Sequence, residues 1–307
     1  MRIKFWGVRG SIPCPGPQTM KYGGNTMCIE IRLSNPDRLL IVDAGSGIRE
    51  LGNHLMANDL PKGPINADIF LTHTHWDHIM GFPFFTPVFI PGTKLRVYGP
   101  VNFKNDTLED IVGGQLQYDY FPLRSDQLSA EIDYQEIKAD STVDLGFDDI
   151  KITTKLLNHP ILCLGYRFEY NGKVVCTAYD TEPFQNLFYL SPDDPSYDES
   201  RVKEGEEFAA ELNQELMDFF AGADLLIHDA QYTAQEYYDS KEGWGHTPIE
   251  YAINSAKNAG VKNLALVHHE PLYSDKKLDE LSEKYCDSVN LKGIRVFFAR
   301  EGMEIKL

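Results

Sequence analysis

Four ligand-type side chains, His73, His75, Asp77 and His78, fall within the six residues His73-Thr74-His75-Trp76-Asp77-His78. Imidazole suits zinc, iron and manganese, and a carboxylate binds or bridges the same ions, so the stretch is suited to a pair of divalent cations. The apolar run Ile69-Phe70-Leu71 before it predicts a buried strand that delivers the cluster at its carboxyl end. Alternate residues leaving a strand point the same way, so His73 and His75 can share one metal. Asp77 and His78, on the turn that follows, can then reach a second.

One turn cannot complete two coordination shells, and further ligand types stand elsewhere. His159 occurs in Leu157-Asn158-His159-Pro160, Asp180 in Ala178-Tyr179-Asp180-Thr181, and His268 and His269 follow the apolar run Leu264-Ala265-Leu266-Val267. Each lies just past such a run, where α/β folds gather their chemistry. All of the nine histidines except His54 read this way. The residues alone do not choose between His268 and His269.

Positioning these groups requires many strands. The pattern predicts strands at 3–6, 27–33, 39–42, 68–71, 94–98, 132–137, 150–156, 165–170, 174–177, 224–227, 264–267 and 294–299. Helices are predicted at 47–57, 104–113, 206–221, 234–240, 248–259 and 276–289, and in the third Phe208, Leu212, Leu216, Phe219 and Phe220 keep the spacing of one buried face. Residues 191–207, rich in Pro, Asp and Glu, read as a solvated loop, either a plain surface connection or a lid. Strands interleaved with helices predict layered sheet and helix, an α/β (α+β) architecture, in a single domain over 1–307.

The bulk numbers narrow the function classes. A net charge of −17 disfavours a broad nucleic-acid or anionic-membrane footprint, which needs a basic face. No apolar run is long enough for a transmembrane span, and the amino terminus lacks the pattern of a signal peptide. Cys14, Cys28, Cys163, Cys176 and Cys286 are odd in number with no C-x-x-C spacing, which predicts reduced thiols in a cytoplasmic protein.

The series HTHWDH, a lone His, Tyr-Asp-Thr and Val-His-His resembles the metallo-β-lactamase fold superfamily over nearly the whole chain. The resemblance implies a four-layer αβ/βα sandwich. It also implies that His73, His75 and His159 hold one ion, that Asp77, His78 and His268 hold the other, and that Asp180 bridges the two. Leu40-Ile41-Val42-Asp43-Ala44-Gly45-Ser46-Gly47 is similar to the superfamily's first motif, whose Asp supports the metal loop rather than binding metal.

Two further motifs look like the tRNase Z-like phosphodiesterase branch. Leu226-Ile227-His228-Asp229-Ala230-Gln231-Tyr232 resembles its His-Glu-Ala-Thr motif, and Gly245-His246-Thr247-Pro248 its His-Ser-Thr motif. Thr247-Pro248-Ile249-Glu250 reads as a helix N-cap, a first-turn proline and a capping-box glutamate, which would set His246 beside the positive end of a helix. Asp229 would orient His246. The openings Gly7-Val8-Arg9-Gly10-Ser11-Ile12-Pro13 and Tyr22-Gly23-Gly24-Asn25-Thr26 also look like this branch, as tight turns from which Asn25 could reach the site.

The chain departs from that branch too. Only the 20 residues 160–179 separate His159 from Asp180, too few for the arm with which tRNase Z clamps tRNA. The expectation is therefore a dinuclear hydrolase, most simply a phosphodiesterase using a metal-bridging hydroxide on a small, cyclic-nucleotide-like diester, with Asp77, His246 and Asp229 catalytic. Two divalent ions are implied, zinc by default and manganese or iron equally compatible with N/O ligands. The alternatives are a thioester, lactone or β-lactam hydrolase on the same scaffold, or a non-catalytic metal sensor. A small-molecule partner, no nucleic acid, no membrane and a homodimer complete the expectation. Trp76, Phe84, Phe85, Tyr118, Tyr120 and Tyr232 are the aromatic candidates for the pocket.

Overall fold

The computed structural model describes residues 1–35, 37–101, 106–147, 149–188, 192–286 and 293–307. Its first sheet is built from β1 (Arg2–Gly7), β2 (Cys28–Ser34), β3 (Asp37–Val42), β4 (Asn66–Phe70), β5 (Lys94–Pro100), β6 (Glu131–Ile137) and the last strand, β14 (Glu304–Lys306). The second holds β7 (Thr142–Val143), β8 (Ile150–Leu157), β9 (Cys163–Tyr170), β10 (Lys173–Ala178), β11 (Leu225–Asp229), β12 (Asn263–Val267) and β13 (Arg295–Phe298). Their orders are β14-β1-β2-β3-β4-β5-β6 and β13-β12-β11-β10-β9-β8-β7. In each sheet a run of antiparallel pairs gives way to parallel ones, β3 to β6 in the first and β10 to β13 in the second.

Alternation explains why the parallel strands read as unbroken apolar runs. In β12 Ala265 and Val267 enter the core between the sheets, while Leu264 and Leu266 face the helices outside. In β4 Phe70 faces inward and Ile69 outward. Strands covered on both faces need apolar residues at every position. The central core draws on both sheets, and each outer face has its own. The helices are α1 (Ile48–Asn58), α2 (Trp76–Ile79), α3 (Leu108–Gly113), α4 (Glu199–Phe220), α5 (Ala234–Ser240), α6 (Ile249–Asn258) and α7 (Asp275–Tyr285). With α1 outside the first sheet and α4, α6 and α7 outside the second, the layering is that of an αβ/βα sandwich.

The predicted strands match observed ones to within a few residues, while the short β7 and β14 and the single turn α2 escape the periodicity. The expected loop at 191–207 is half wrong. From Glu199 onward it is the start of α4, capped by Asp198, whose side chain accepts from the Ser200 and Arg201 N–H groups. Ser191 lies outside the described residues, as do residues 104–105 of the second predicted helix and 287–289 of the last. In α4 the buried stripe is Val202, Gly205, Ala209, Leu216 and Phe220, whereas Phe208 is 60% exposed. No helix among the described residues is long and apolar enough to cross a membrane.

Between His159 and Asp180 the chain forms only β9, β10 and a two-residue turn. Tyr170 pairs with Lys173, and Asn171 and Gly172 have φ of 50° and 70°. Asn-Gly is favoured where both turn residues need positive φ, so this is a tight hairpin with no room for an inserted arm.

Candidate metal centre

The strand ends converge on one cluster. β4 delivers the loop carrying His73 and His75, and α2 carries Asp77 and His78. His159 follows β8, Asp180 follows β10 and His268 follows β12. Two donor sets result, His73, His75, His159 and Asp180 in one and Asp77, His78, Asp180 and His268 in the other, with the atoms of each set within 4.8 Å of one another. Asp180 belongs to both. A third group joins Asp229, His246 and His268.

Donor separations test whether ions fit. Four N/O atoms about 2.1 Å from one tetrahedral ion lie about 3.4 Å apart. His75 Nδ1 and His159 Nε2 are 3.1 Å apart, and His73 Nε2 is 3.5 Å from Asp180 Oδ2. On the other side Asp180 Oδ1 is 3.2 Å from both His78 Nε2 and His268 Nε2, and Asp77 Oδ2 is 3.2 Å from His268 Nε2 and 3.3 Å from His78 Nε2. His159 Nε2 to Asp180 Oδ2 is the long edge, at 4.0 Å. Among the described residues, buried His73 Nε2, His78 Nε2 and Asp180 Oδ1 have no hydrogen-bond partner. Orphaned buried polar atoms are costly, and three of them spread over the two donor sets fit divalent ions sharing Asp180.

The rear nitrogens are held in place. His78 Nδ1 lies 2.7 Å from Asp43 Oδ2, and Asp43 Oδ1 also accepts the Thr72 N–H at 2.7 Å. His159 Nδ1 donates to the Gly245 carbonyl at 3.0 Å, and His268 Nδ1 to Gln231 Oε1 at 3.1 Å. Each contact fixes the tautomer that leaves Nε2 for a metal. The Ser11 N–H donates to Asp77 Oδ2 at 2.7 Å. Gly10 packs on the His268 ring, where an added Cβ would fall 2.4 Å from Nδ1.

Electrostatics follow from burial. Burial pushes the His73 imidazole well down, with the charge of His78 adding to it, and lowers His159 to about 4. Burial also pushes His268 down, but Asp180 and the Asp77 hydrogen bond outweigh it and lift the group to about 9. For Asp77 burial acts upward, and the His78 charge with the His268 and His78 hydrogen bonds overcomes it, holding the carboxyl far below its usual range.

Asp229 and His246 meet as the sequence expects, with His246 Nδ1 2.9 Å from Asp229 Oδ2. The His246 ring stacks on His268 at 4.8 Å between centroids. The capping-box reading of the next residues is corrected. Pro248 is the N-cap without a side-chain cap, and Thr247 Oγ1 donates to the Thr181 carbonyl. Glu250 turns away to accept the Ala234 N–H, and the Ile249 N–H goes to the Tyr232 carbonyl. His246 is therefore held by Asp229 more than by a free helix end.

Other expectations separate. His269 turns away from the cluster, its Nε2 donating to the Ala299 carbonyl at 2.8 Å, which leaves His268 as the partner of Asp77 and Asp180. His228 is a buried strand residue packed on Phe220, not a member of the cluster. Asn25 bonds to Glu301 and Ser46. Among the aromatic candidates, Trp76 lines the open cleft of about 510 Å³ over the cluster and is 77% exposed. Phe84, Tyr118 and Tyr120 are exposed outside that lining, Phe85 is core, and Tyr232 is buried with its ring 6.0 Å from His246. A larger cleft, about 610 Å³, lies at the amino ends of β3 to β6, the opposite end of those strands from the cluster. Ser11, Thr72 and Gln231 were missed, because a backbone donor or a lone Gln has no signature in sequence.

Residues 38–189 match the family described as the beta-lactamase superfamily domain, a span that includes the ligand candidates from His73 to Asp180. Ribonuclease Z of Lactococcus lactis subsp. lactis (strain IL1403) is 29% identical over 301 residues, covering 89% of this chain and 90% of that protein. The short form of human tRNase Z superposes with a TM-score of 0.61 at 19% identity, over 100% of this chain and 98% of that one. The chain belongs to the metallo-β-lactamase fold superfamily. A diphosphatase from the PhnP family shares the fold as well, at a TM-score of 0.61 and 16% identity over 100% of this chain and 97% of that one. Within the superfamily the likeness falls on the tRNase Z-like branch, and the chain is a metal-dependent hydrolase. That outcome stands in tension with the expectation of no nucleic acid, since the relatives carry the name ribonuclease.

Proposed function

We propose that this hydrolase is a phosphodiesterase for a small, cyclic-nucleotide-like diester. The observation that carries the reading is the Asp229–His246 pair, at 2.9 Å, set against the second donor set through the stacked His268 ring. Hydrolysis of a diester needs charge neutralised at the phosphoryl oxygens and a proton for the departing oxygen. Divalent ions held by His73, His75, His159, Asp180, Asp77, His78 and His268, zinc by default, supply positive charge and an acidified water when bound. Asp229 accepts from His246 Nδ1, so that the protonated imidazole keeps its Nε2–H to stabilise the leaving oxygen or to protonate it, the ring then becoming neutral. Asp77, fixed by the Ser11 N–H, serves as ligand and as acceptor for the nucleophile's proton.

Substrate size follows from the surroundings. A net charge of −17 and the two-residue β9–β10 turn support a small diester over a long RNA. The relatives' name favours RNA as the second reading. Free thiols at all five cysteines support a reducing, cytoplasmic setting. The test is a panel on one zinc-loaded preparation: a cyclic mononucleotide, bis(p-nitrophenyl) phosphate, a precursor tRNA, a thioester, a lactone and nitrocefin. Turnover confined to the two small diesters is expected. Cleavage of the precursor tRNA at comparable kcat/KM restores the RNA reading, and turnover of the thioester, lactone or nitrocefin alone defeats the phosphodiesterase one.

A further inference from the structure

Two residues beyond Asp180, Glu182 is only 6% exposed and belongs to neither donor set. Its carboxylate nonetheless gathers three donors. Gly243 N–H donates to Oε1 at 2.7 Å, Gly245 N–H to Oε2 at 2.9 Å, and the Tyr237 hydroxyl also donates to Oε1. Its own N–H donates to the carbonyl of Asn158, the neighbour of His159, at 2.9 Å. The Tyr237 hydroxyl in turn accepts from Gln185 Nε2 at 2.6 Å.

The segment that Glu182 grips is a tight turn, with Gly243 and Gly245 both at φ 81°. Its last carbonyl, on Gly245, is the acceptor for His159 Nδ1 at 3.0 Å. The approach is so close that a Cβ at position 245 would fall 2.4 Å from that nitrogen. The next residue is His246. Thr181 pins the far side of His246, because Thr247 Oγ1 donates to its carbonyl. The segment 180–182 and the turn 243–247 are thus stitched together on both flanks of His246.

We propose that Glu182 is a positioning residue: by locking the 243–245 turn it sets the His159 imidazole on the metal side and the His246 imidazole on the leaving-group side. A carboxylate is needed because every group facing it is a donor. Glutamine offers one acceptor oxygen and turns an NH₂ toward one of those donors, so Glu182→Gln opens the turn while nearly preserving volume. Orienting partners of this kind are worth about 10- to 100-fold in metal affinity or activity.

The test uses the full chain as wild type, Glu182→Gln, Tyr237→Phe, His246→Ala and the double variant Glu182→Gln/His246→Ala. Zinc affinity is measured by competition with a chromogenic chelator, and kcat and KM on bis(p-nitrophenyl) phosphate at saturating zinc. Glu182→Gln is expected to weaken zinc binding about 10- to 100-fold and to lower kcat about 10-fold with little change in KM. In the His246→Ala background it is expected to remove little further kcat, because the two act as one unit. Tyr237→Phe, which removes one donor and leaves the glycine contacts, moves both readouts the same way by less, and it decides the matter if Glu182→Gln does not fold. Unchanged zinc affinity, or kcat losses that multiply in the double variant, overturns the proposal. The kinetic arm rests on the phosphodiesterase reading and the zinc arm does not, so a wild type without diester turnover sinks that reading while Glu182 is still judged on metal affinity.

Discussion

Ser11, Asp43, Asp180 and His268 are four of the six non-glycine residues with positive φ among the described residues, and all four touch the cluster. Such backbone costs of the order of 1–3 kcal/mol per residue and persists where surroundings over-determine it. The ligand types were legible in sequence because His and Asp so closely spaced have few other uses. The strain, the Ser11 N–H and the Gln231 amide were not, since they arise only when distant loops meet. Asp43 illustrates the division. Its motif marked it as a support, and the structure gives it the His78 and Thr72 contacts that do the supporting. Asp43→Asn turns an amide NH₂ toward one of those donors and is expected to weaken zinc binding about 10- to 100-fold, read by chelator competition. An Asp43→Asn protein that loses thermal stability but keeps wild-type zinc affinity contradicts that role.

Elements were legible where one period was clean and obscure where packing decided. In α4 the 3.6-residue spacing of large apolar residues pointed to Phe208, but the helix buries Val202, Gly205 and Ala209 instead, using small residues to sit close to its neighbours. Phe220, 2% exposed, packs with Leu216 and Ile253, so Phe220→Ala is expected to cost about 3–5 kcal/mol in urea unfolding. Phe208→Ala is expected to cost less than about 0.5 kcal/mol. Equal losses would restore the face read from the sequence. The start of β11 carries a pH-sensitive staple. Asp224 accepts from Lys262 Nζ at 2.8 Å, from the Val174 N–H at 3.0 Å and from Lys173 Nζ at 3.4 Å. Burial acts upward on its carboxyl, and the Lys262 hydrogen bond, the Val174 N–H and the two lysine charges outweigh it, leaving it below its usual range. A depressed folded pKa contributes stability that is present above the unfolded value of about 3.9 and lost as pH falls through the folded one. The stability gap between wild type and Asp224→Asn is therefore expected to close between about pH 5 and pH 2. A gap that stays constant across that range contradicts the assignment.

The whole molecule gathers its chemistry at strand ends, and both sheets contribute: His73 to His78 come from the first, and His159, after the antiparallel β8, joins Asp180, Asp229 and His268 from the second. The alternation of strand and helix was enough to read the layers, because strands buried on both faces announce themselves as apolar runs. The pairing of the first and last strands, Arg2 opposite Lys306, was not readable, since β14 is three residues long and largely exposed. We take the two sheets as one folding unit sharing the central core. One cooperative thermal transition is expected, and stripping the metals with a chelator is expected to lower its midpoint, because ligand binding to the folded state alone stabilises it by mass action. Two separate transitions would split the unit, and a midpoint indifferent to chelation would speak against resident metals.

The most direct measurement counts metal and diester hydrolysis in the same sample, wild type beside His246→Ala. Two divalent ions per chain are expected in both proteins, with bis(p-nitrophenyl) phosphate turnover by the wild type and a kcat lower by about 10²- to 10⁴-fold in the variant. Full metal loading with no diester turnover, or a His246→Ala protein as fast as the wild type, contradicts the phosphodiesterase reading.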